Sequence, residues 1–214
     1  MARQLTRVIG DCHGKYRRFK NIIRNASRSI CVGDMGVGFR YYDAGRELRH
    51  AANPPHDAMV KRNCRYIRGN HDNPNVCRNQ SQWIPDGTVE NDVMYIGGAL
   101  SIDIHLRTEG LSWWADEECS LAQLNHFVDV YDMVRPRVMI CHECPESIAD
   151  TIMKGHNKNK ILRPSRTRQA LQGMLEIHRP EIFLFGHWHV DIDQVIDGTR
   201  FICLNELSYI DLEL

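Results

Sequence analysis

The sequence predicts a layered α/β fold, with helices packed outside central sheets, and three observations carry that expectation. Apolar runs of strand length alternate with helix-period segments along the chain. The first three runs each stop at a glycine-flanked polar motif. The length of 214 residues is enough to bury one substantial core and too short for two comfortable ones, so a single domain over 1–214 is expected.

The elements follow in order. Leu5–Ile9 reads as a strand ending at Gly10, and 15–26 places Tyr16, Phe19, Ile22 and Ile23 at helical spacing. The next strands are 29–32, stopping at Gly33, and 65–68, stopping at Gly69. Val93–Ile96 and 100–104 read as an antiparallel pair turned at Gly97-Gly98, where glycine supplies a positive φ. A polar helix follows around Leu121–Val134, then a short apolar strand at 138–140. The helix 167–178 precedes the strand Ile182–Phe185. The remainder is β-rich, with strands at 190–196, 201–204 and 208–212, and the apolar residues of this tail can pack internally or pair with another chain. No internal repeat, low-complexity tract or interdomain linker interrupts this order.

Composition excludes some classes. Basic and acidic residues number 27 each, so no overall charge draws the chain to nucleic acid or to an anionic membrane. The first seven residues lack the apolar region of a secretion signal, and no stretch approaches the roughly 18 apolar residues of a membrane span. A soluble cytoplasmic protein with no membrane partner is the expectation. Eight cysteines are scattered without the short framework of a disulfide scaffold, and reduced thiols are expected. Cys141 and Cys144 form a CxxC pair, but no second pair completes a zinc site.

Five polar motifs sit at the ends of apolar runs, where loops at the carboxyl edge of a sheet gather ligands. They are Gly10-Asp11-Cys12-His13-Gly14, Gly33-Asp34-Met35-Gly36, Gly69-Asn70-His71-Asp72, Cys141-His142-Glu143 and Gly186-His187-Trp188-His189. Carboxylate, amide and imidazole are hard or borderline metal donors. In an extended segment residues two apart share a side, so Asp11 and His13 can address one ion, and His187 and His189 a pair of ions. Cys12 then faces away and packs, and Met35 is a core or rim residue.

These blocks resemble the calcineurin-like metallophosphoesterase superfamily, whose pattern runs DxH, GDxx, GNH[D/E], H and GHxH. All five occur in that order from Asp11 to His189, most of the chain, and together they are far more specific than a lone GNHD. The resemblance implies a two-sheet β-sandwich core flanked by helices, a four-layer αββα arrangement. It also implies a dinuclear centre in which Asp11, His13 and His189 hold one metal, Asn70, His142 and His187 hold the other, and Asp34 bridges them. Two cations about 3.5–4 Å apart can share a bridging hydroxide and clamp phosphoryl oxygens during in-line displacement. The donor set suits Mn, Fe, Zn or Ni, with Mn favoured. His71 is implied as general acid or transition-state stabiliser, an imidazole being suited to proton transfer near neutral pH. Asp72 is grouped with it, either as a turn former or as the residue that orients the adjacent loop.

The departures narrow the function. The protein Ser/Thr phosphatase branch carries GDxVDRG, whereas this chain reads Gly33-Asp34-Met35-Gly36-Val37-Gly38-Phe39-Arg40 and lacks the Asp-Arg-Gly. That branch also has Glu where Asp72 stands. Similarity to the phosphodiesterase-like branches, including small bacterial and bacteriophage members, implies hydrolysis of phosphodiesters, with nucleotide or cyclic-nucleotide-like esters and nucleic-acid ends among the candidate partners. A phosphomonoesterase acting on a phosphoprotein or nucleotide is the alternative, and a non-catalytic interaction module on the same fold is the reading of another class. Arg40 is a candidate replacement for the missing arginine.

Other features have blander readings. His50, His56, His105, His126, His156 and His178 read as surface or partly packed imidazoles. Tyr16-Arg17-Arg18-Phe19-Lys20, continued by Arg24 and Arg28, mixes bases and aromatics as a nucleic-acid face does, but an amphipathic helix with solvated charges explains it as well. The basic stretch 154–168 (Lys154, Lys158, Lys160, Arg163, Arg166, Arg168) is a candidate substrate-facing cap, set against a solvated loop and a helix start capped by Ser165. Oligomeric state is left open.

Overall fold

The computed structural model describes residues 4–42, 47–50, 53–155 and 163–214. In chain order the elements are β1 (Leu5–Ile9), α1 (Tyr16–Ile23), β2 (Ser29–Cys31), β3 (Arg40–Tyr42), β4 (Leu48–His50), α2 (His56–Lys61), β5 (Cys64–Tyr66) and α3 (Pro74–Cys77). There follow β6 (Val89–Glu90), β7 (Val93–Ile96), a 3-10 turn (Ile104–Leu106), α4 (Leu121–Val134), β8 (Val138–Cys141), α5 (Glu146–Gly155), α6 (Arg166–Ile177), β9 (Ile182–Phe185), β10 (Ile192–Ile196), β11 (Thr199–Cys203) and β12 (Tyr209–Glu213). One sheet has the order β12-β1-β2-β5 and a second the order β10-β11-β9-β8-β7-β6, while β3 and β4 form a separate hairpin.

The period of two along each strand sorts side chains into layers. Val8, Ile30, Tyr95, Ile140, Leu184 and Ile202 point into one buried cluster shared by both sheets. Their neighbours Met94, Met139, Phe183 and Phe201 point the other way, onto Leu124 and Phe127 of α4, Ile148 of α5 and Leu171 of α6. Ile9 and Cys31 face outward from the first sheet onto Phe19 and Ile23 of α1 and Met59 of α2. The result is a four-layer αββα sandwich, in which β7, β8 and β9, at the middle of the larger sheet, are apolar throughout. Each fully buried aliphatic side chain contributes about 1.5–3 kcal/mol through removal from water, so these clusters dominate the stability of the sandwich.

The helices begin where local chemistry allows. Ser120 caps α4 through a reciprocal box with Gln123, and the Ser165 side chain accepts from Arg168 N at the start of α6. Arg168 itself is buried, with Nε 2.9 Å from Glu146 Oε2. It is thus removed from the set of bases available to a cap, and 156–162 of that stretch lie outside the described residues. His156 lies there too.

The expected strand at 100–104 is absent. Its place is taken by β6, which pairs antiparallel with β7 across Asn91 and Asp92, both at positive φ. After Gly98 the backbone turns to a side chain instead of a ladder: Ser101 N donates to Glu117 Oε1 at 2.8 Å. The β-rich tail pairs internally, β12 running antiparallel to β1 from Leu5↔Glu213 to Ile9↔Tyr209. Among the described residues no helix is long and apolar enough to cross a membrane. All eight cysteines are free and buried, Cys141 and Cys144 packing in the cluster beneath α4 and α6.

Candidate metal centre

The five motifs meet at one end of the two sheets, in the loops that follow β1, β2, β5, β8 and β9. They do so through turns and not through extended backbone. His13, Asp34, His187 and His189 all have positive φ, at 46°, 48°, 65° and 51°. Alternation along an extended segment is therefore not what brings Asp11 to His13 or His187 to His189. These side chains converge because left-handed turns at the sheet edge redirect them, a strained conformation that packing must hold. Two glycines make the approach possible: a Cβ at Gly33, where φ is +121°, would overlap the His142 ring, and one at Gly186 would overlap the Asp11 carboxylate.

One group of donors comprises Asp11, His13, Asp34 and His189, whose ligand atoms all lie within 4.8 Å of one another. His189 Nε2 is 3.1 Å from Asp11 Oδ2 and 3.0 Å from His13 Nε2. Glu206 closes the outer side, with Oε1 4.0 Å from His13 Nε2 and 3.8 Å from His189 Nδ1, while its other oxygen pairs with Lys15. Asp11 is fully buried, and its Oδ1 has no hydrogen-bond partner.

A second group surrounds Asn70 Oδ1, which lies 3.1 Å from His142 Nε2 and 3.0 Å from His187 Nδ1. The orientation of each member is fixed from behind. His142 Nδ1 faces Val32 O at 2.9 Å, which places its proton there and leaves the Nε2 lone pair toward the centre. The Asn70 amide nitrogen donates to Ser101 Oγ at 3.1 Å, and Ser101 Oγ donates in turn to Glu117 Oε2 at 2.6 Å. Behind His187 stands Glu143, fully buried, with Oε2 3.8 Å from His187 Nε2 and 3.6 Å from Arg168 Nη1. Glu143 Oε1 accepts from Trp188 Nε1 at 2.7 Å, which ties the residue between the two final histidines to the same carboxylate.

Asp34 spans the two groups. Its Oδ1 is 3.4 Å from His142 Nε2, and its Oδ2 is 3.6 Å from His13 Nε2. Burial opposes ionisation, yet the imidazoles of His142, His71 and His13 and the His71 N–H hold this carboxyl below the usual range. Burial likewise opposes a proton on His142, but Asp34 and Asp11 raise its pKa above the ordinary value.

His71 lies at the rim of the same cavity. Its N–H donates to Asp34 Oδ1 at 2.8 Å, its ring stacks on Phe39 with centroids 4.8 Å apart, and its Nε2 is 2.9 Å from Arg107 Nη2. Burial, reinforced by His13 and Arg107, pulls its pKa down to about 4. Arg107 is held by Asp103, at 3.0 and 2.7 Å. The guanidinium at the site is thus that of Arg107; Arg40 sits in β3, and among the described residues no hydrogen bond or ion pair joins its side chain to the centre. Asp72 does not face the cavity. Its oxygens accept four backbone N–H groups, from Met35, Gly36, Val37 and Gly69, at 2.7–3.1 Å. Of the two readings for it, orientation of the adjacent loop matches this placement.

All seven expected metal-ligating residues are therefore brought together, with His71 beside them. The sequence reading missed Glu206, Arg107 and Phe39, and left Glu143 without a role. Glu206 follows an expected strand end and was within reach of the same search. Arg107 lies in a loop without a motif, and nothing in the sequence marks it.

A solved structure from Thermotoga maritima, determined by solution NMR, aligns with 18% identity over 99% of this chain and 92% of that one, at a TM-score of 0.40. No curated protein matches the sequence. The sequence profile of the calcineurin-like phosphoesterases matches residues 6–191, a span that includes every one of these ligand-bearing loops, and this chain belongs to that family.

Proposed function

We propose that this protein is a dinuclear metal-dependent phosphoesterase whose leading substrates are phosphodiesters, nucleotide or cyclic-nucleotide-like esters and nucleic-acid ends among them. The observation that carries the reading is the division of the Asp34 carboxylate, one oxygen toward each donor group. The residues fit cations. A buried carboxylate oxygen without a donor, as at Asp11 Oδ1, is costly unless positive charge meets it. Asp11, His13, His189 and Asp34 would hold one ion, and Asn70, His142, His187 and Asp34 the other, with Mn first among Mn, Fe, Zn and Ni.

Bound ions supply Lewis-acid charge at the phosphoryl oxygens and a water acidic enough to attack at neutral pH. The chain supplies the rest. Arg107 offers a planar fork to a phosphoryl oxygen, and once so engaged it leaves His71 Nε2 facing the ester. A phosphoryl charge in place of the Arg107 cation raises the pKa of His71, which then takes up a proton at Nε2 and stabilises or protonates the departing oxygen, while Phe39 fixes its ring plane. Asp72 keeps the loop of Asp34 in register from behind. Action in the cytoplasm is part of this proposal, supported by eight free, buried thiols.

The missing Asp-Arg-Gly element supports the diester reading. Arg107 favours the second, hydrolysis of a phosphomonoester, because a guanidinium beside the reacting group suits a doubly charged phosphate. The presence of every ligand speaks against a non-catalytic module. Comparing kcat/KM for a bis-aryl phosphodiester and the matching aryl monoester, over several divalent metals, tests the order. A diester preference is expected; a monoester preference that collapses in Arg107→Ala would reverse it, and full metal loading without hydrolysis of either would remove the enzyme reading.

A further inference from the structure

Over most of the surface, arginines are matched to acids: Arg7 to Asp211, Arg65 to Glu90, Arg78 to Asp116, Arg135 to Asp132, Arg137 to Glu181 and Arg200 to Asp193. One cluster of cations departs from this pattern. A groove of about 370 Å³ between α1 and α2 is lined by Arg17, Lys20 and Arg24 from one helix and Lys61 and Arg62 from the end of the other. No acidic side chain pairs with any of the five among the described residues; Arg24 bonds to Asn21 Oδ1 at 2.8 Å, and Asn21 also lines the groove.

Local helix chemistry accounts for part of the arrangement: Lys20 lies in the last turn of α1 and Arg24 caps it, where positive charge suits the helix dipole. Lys61 and Arg62 close α2, where positive charge suits the carbonyl end of a helix. Arg17 stands in the first turn of α1, which holds no acid, and there a positive charge opposes the helix dipole. Arg17 with Lys20 and Lys20 with Arg24 are like-charge pairs at spacings three and four, each disfavouring the helix. In a chain with 27 basic and 27 acidic residues, this concentration is a matter of placement and not of composition. A polyanion would relieve the repulsion.

We infer that the α1–α2 groove binds the phosphate backbone of duplex nucleic acid, independently of the metal centre. From Arg17 to Arg24 the helix rises about 10.5 Å. That length faces about three phosphates of one strand at roughly 3.4 Å of rise each. Arginine's fork suits phosphate oxygens. Ile23 and Ala58 are the two apolar residues that line the groove, alongside the five cations and Asn21. No aromatic side chain lines the groove to stack unpaired bases, so contact is with the backbone and is indifferent to sequence.

The test is fluorescence anisotropy of a fluorescein-labelled 20-base-pair DNA duplex with the full chain carrying Asp34→Asn, which keeps the probe intact. Binding should weaken with salt, log K falling about 3 per decade for about three phosphates neutralised. Adding Lys20→Glu, Arg24→Glu and Lys61→Glu should lower affinity at least tenfold and flatten the slope. Arg135→Glu with Arg200→Glu, reversing two paired cations elsewhere, should change it less than twofold. With Asp34 restored, the groove variant should melt normally and hydrolyse a bis-aryl diester at the unmodified rate, so failure of the groove and failure of the esterase reading are separate results. Absent binding, equal binding by groove and control variants, or displacement of the duplex by polyglutamate as readily as by unlabelled duplex would overturn the assignment.

Discussion

The two halves of the candidate metal centre are built differently. In the half formed by Asp11, His13 and His189, the His189 side chain is 41% exposed and His13 16% exposed, and the outer wall is Glu206, itself partly open to water. In the half formed by Asn70, His142 and His187, His142 is fully buried and each ligand is braced by protein: Val32 O behind His142, Ser101 and Glu117 behind Asn70, Glu143 behind His187. Braces of this kind fix tautomer and orientation before an ion arrives. The buried half is thus preorganised, while the open half keeps exchange with solvent. Chelator titration should accordingly strip the ion of the open half first, read as two steps in metal content against free chelator; simultaneous loss would erase the distinction.

Asp34 belongs to both halves, so its substitution should have the largest effect. Asp34→Asn is expected to lower hydrolysis about 10⁴-fold, the scale on which a cooperating catalytic set fails when one member goes. Metal content measured on the same sample should fall from both halves, and loss from one half alone would show that Asp34 is not shared. His71→Ala comes next, with a fall in turnover of about 10²–10⁴. Metal content should stay intact and poor leaving groups should suffer most. An equal loss on activated and unactivated esters would remove His71 from the leaving-group side.

Smaller effects sharpen the contrast. Glu143→Gln replaces a carboxylate that can accept from His187 Nε2 with an amide that can donate to it, favouring the tautomer that carries its proton on Nδ1, the atom facing Asn70. Affinity at the buried half should drop about 10–100-fold, measured calorimetrically, with the open half unchanged. The metal-free protein should also melt lower, because Arg168 loses a buried counter-charge, so affinities must be compared well below that midpoint. Glu206→Gln, on the exposed side, should weaken metal at the open half less than about fivefold, as solvent-screened charges do. A loss as large as that of Glu143→Gln would mean that exposure does not govern the difference.

The legibility of the site follows its chemistry. Ligand loops announce themselves because metal donors come from a few side-chain types, here Asp, Asn and His, and because close packing at a sheet edge demands glycine beside them. Strands such as Val93–Ile96 and Ile182–Phe185 were readable because burial on both faces leaves an uninterrupted apolar run. The hairpin of β3 and β4, the short helices α2 and α3, and the replacement of 100–104 by β6 were not readable. These elements carry little apolar periodicity, and their backbones are held by distant groups, as Ser101 is by Glu117. The groove was half visible: the stripe of α1 could be read, but its continuation in Lys61 and Arg62 could not, since those residues lie forty positions away.

By itself the sequence determined the alternation of strands and helices and the five donor-rich loops, because periodicity and donor chemistry are properties of short segments; the αββα layering and the ligand set were implied by the family those loops resemble. Only the tertiary structure decided how the ligands converge, through left-handed turns at His13, Asp34, His187 and His189. It alone decided which oxygen of Asp34 faces which histidine, that Asp72 supports its loop from behind, and that Arg107, Glu206 and Glu143 stand at the site. Those outcomes depend on the register of two sheets packed face to face, which brings together residues as far apart as His13 and His189. No local pattern encodes that distance.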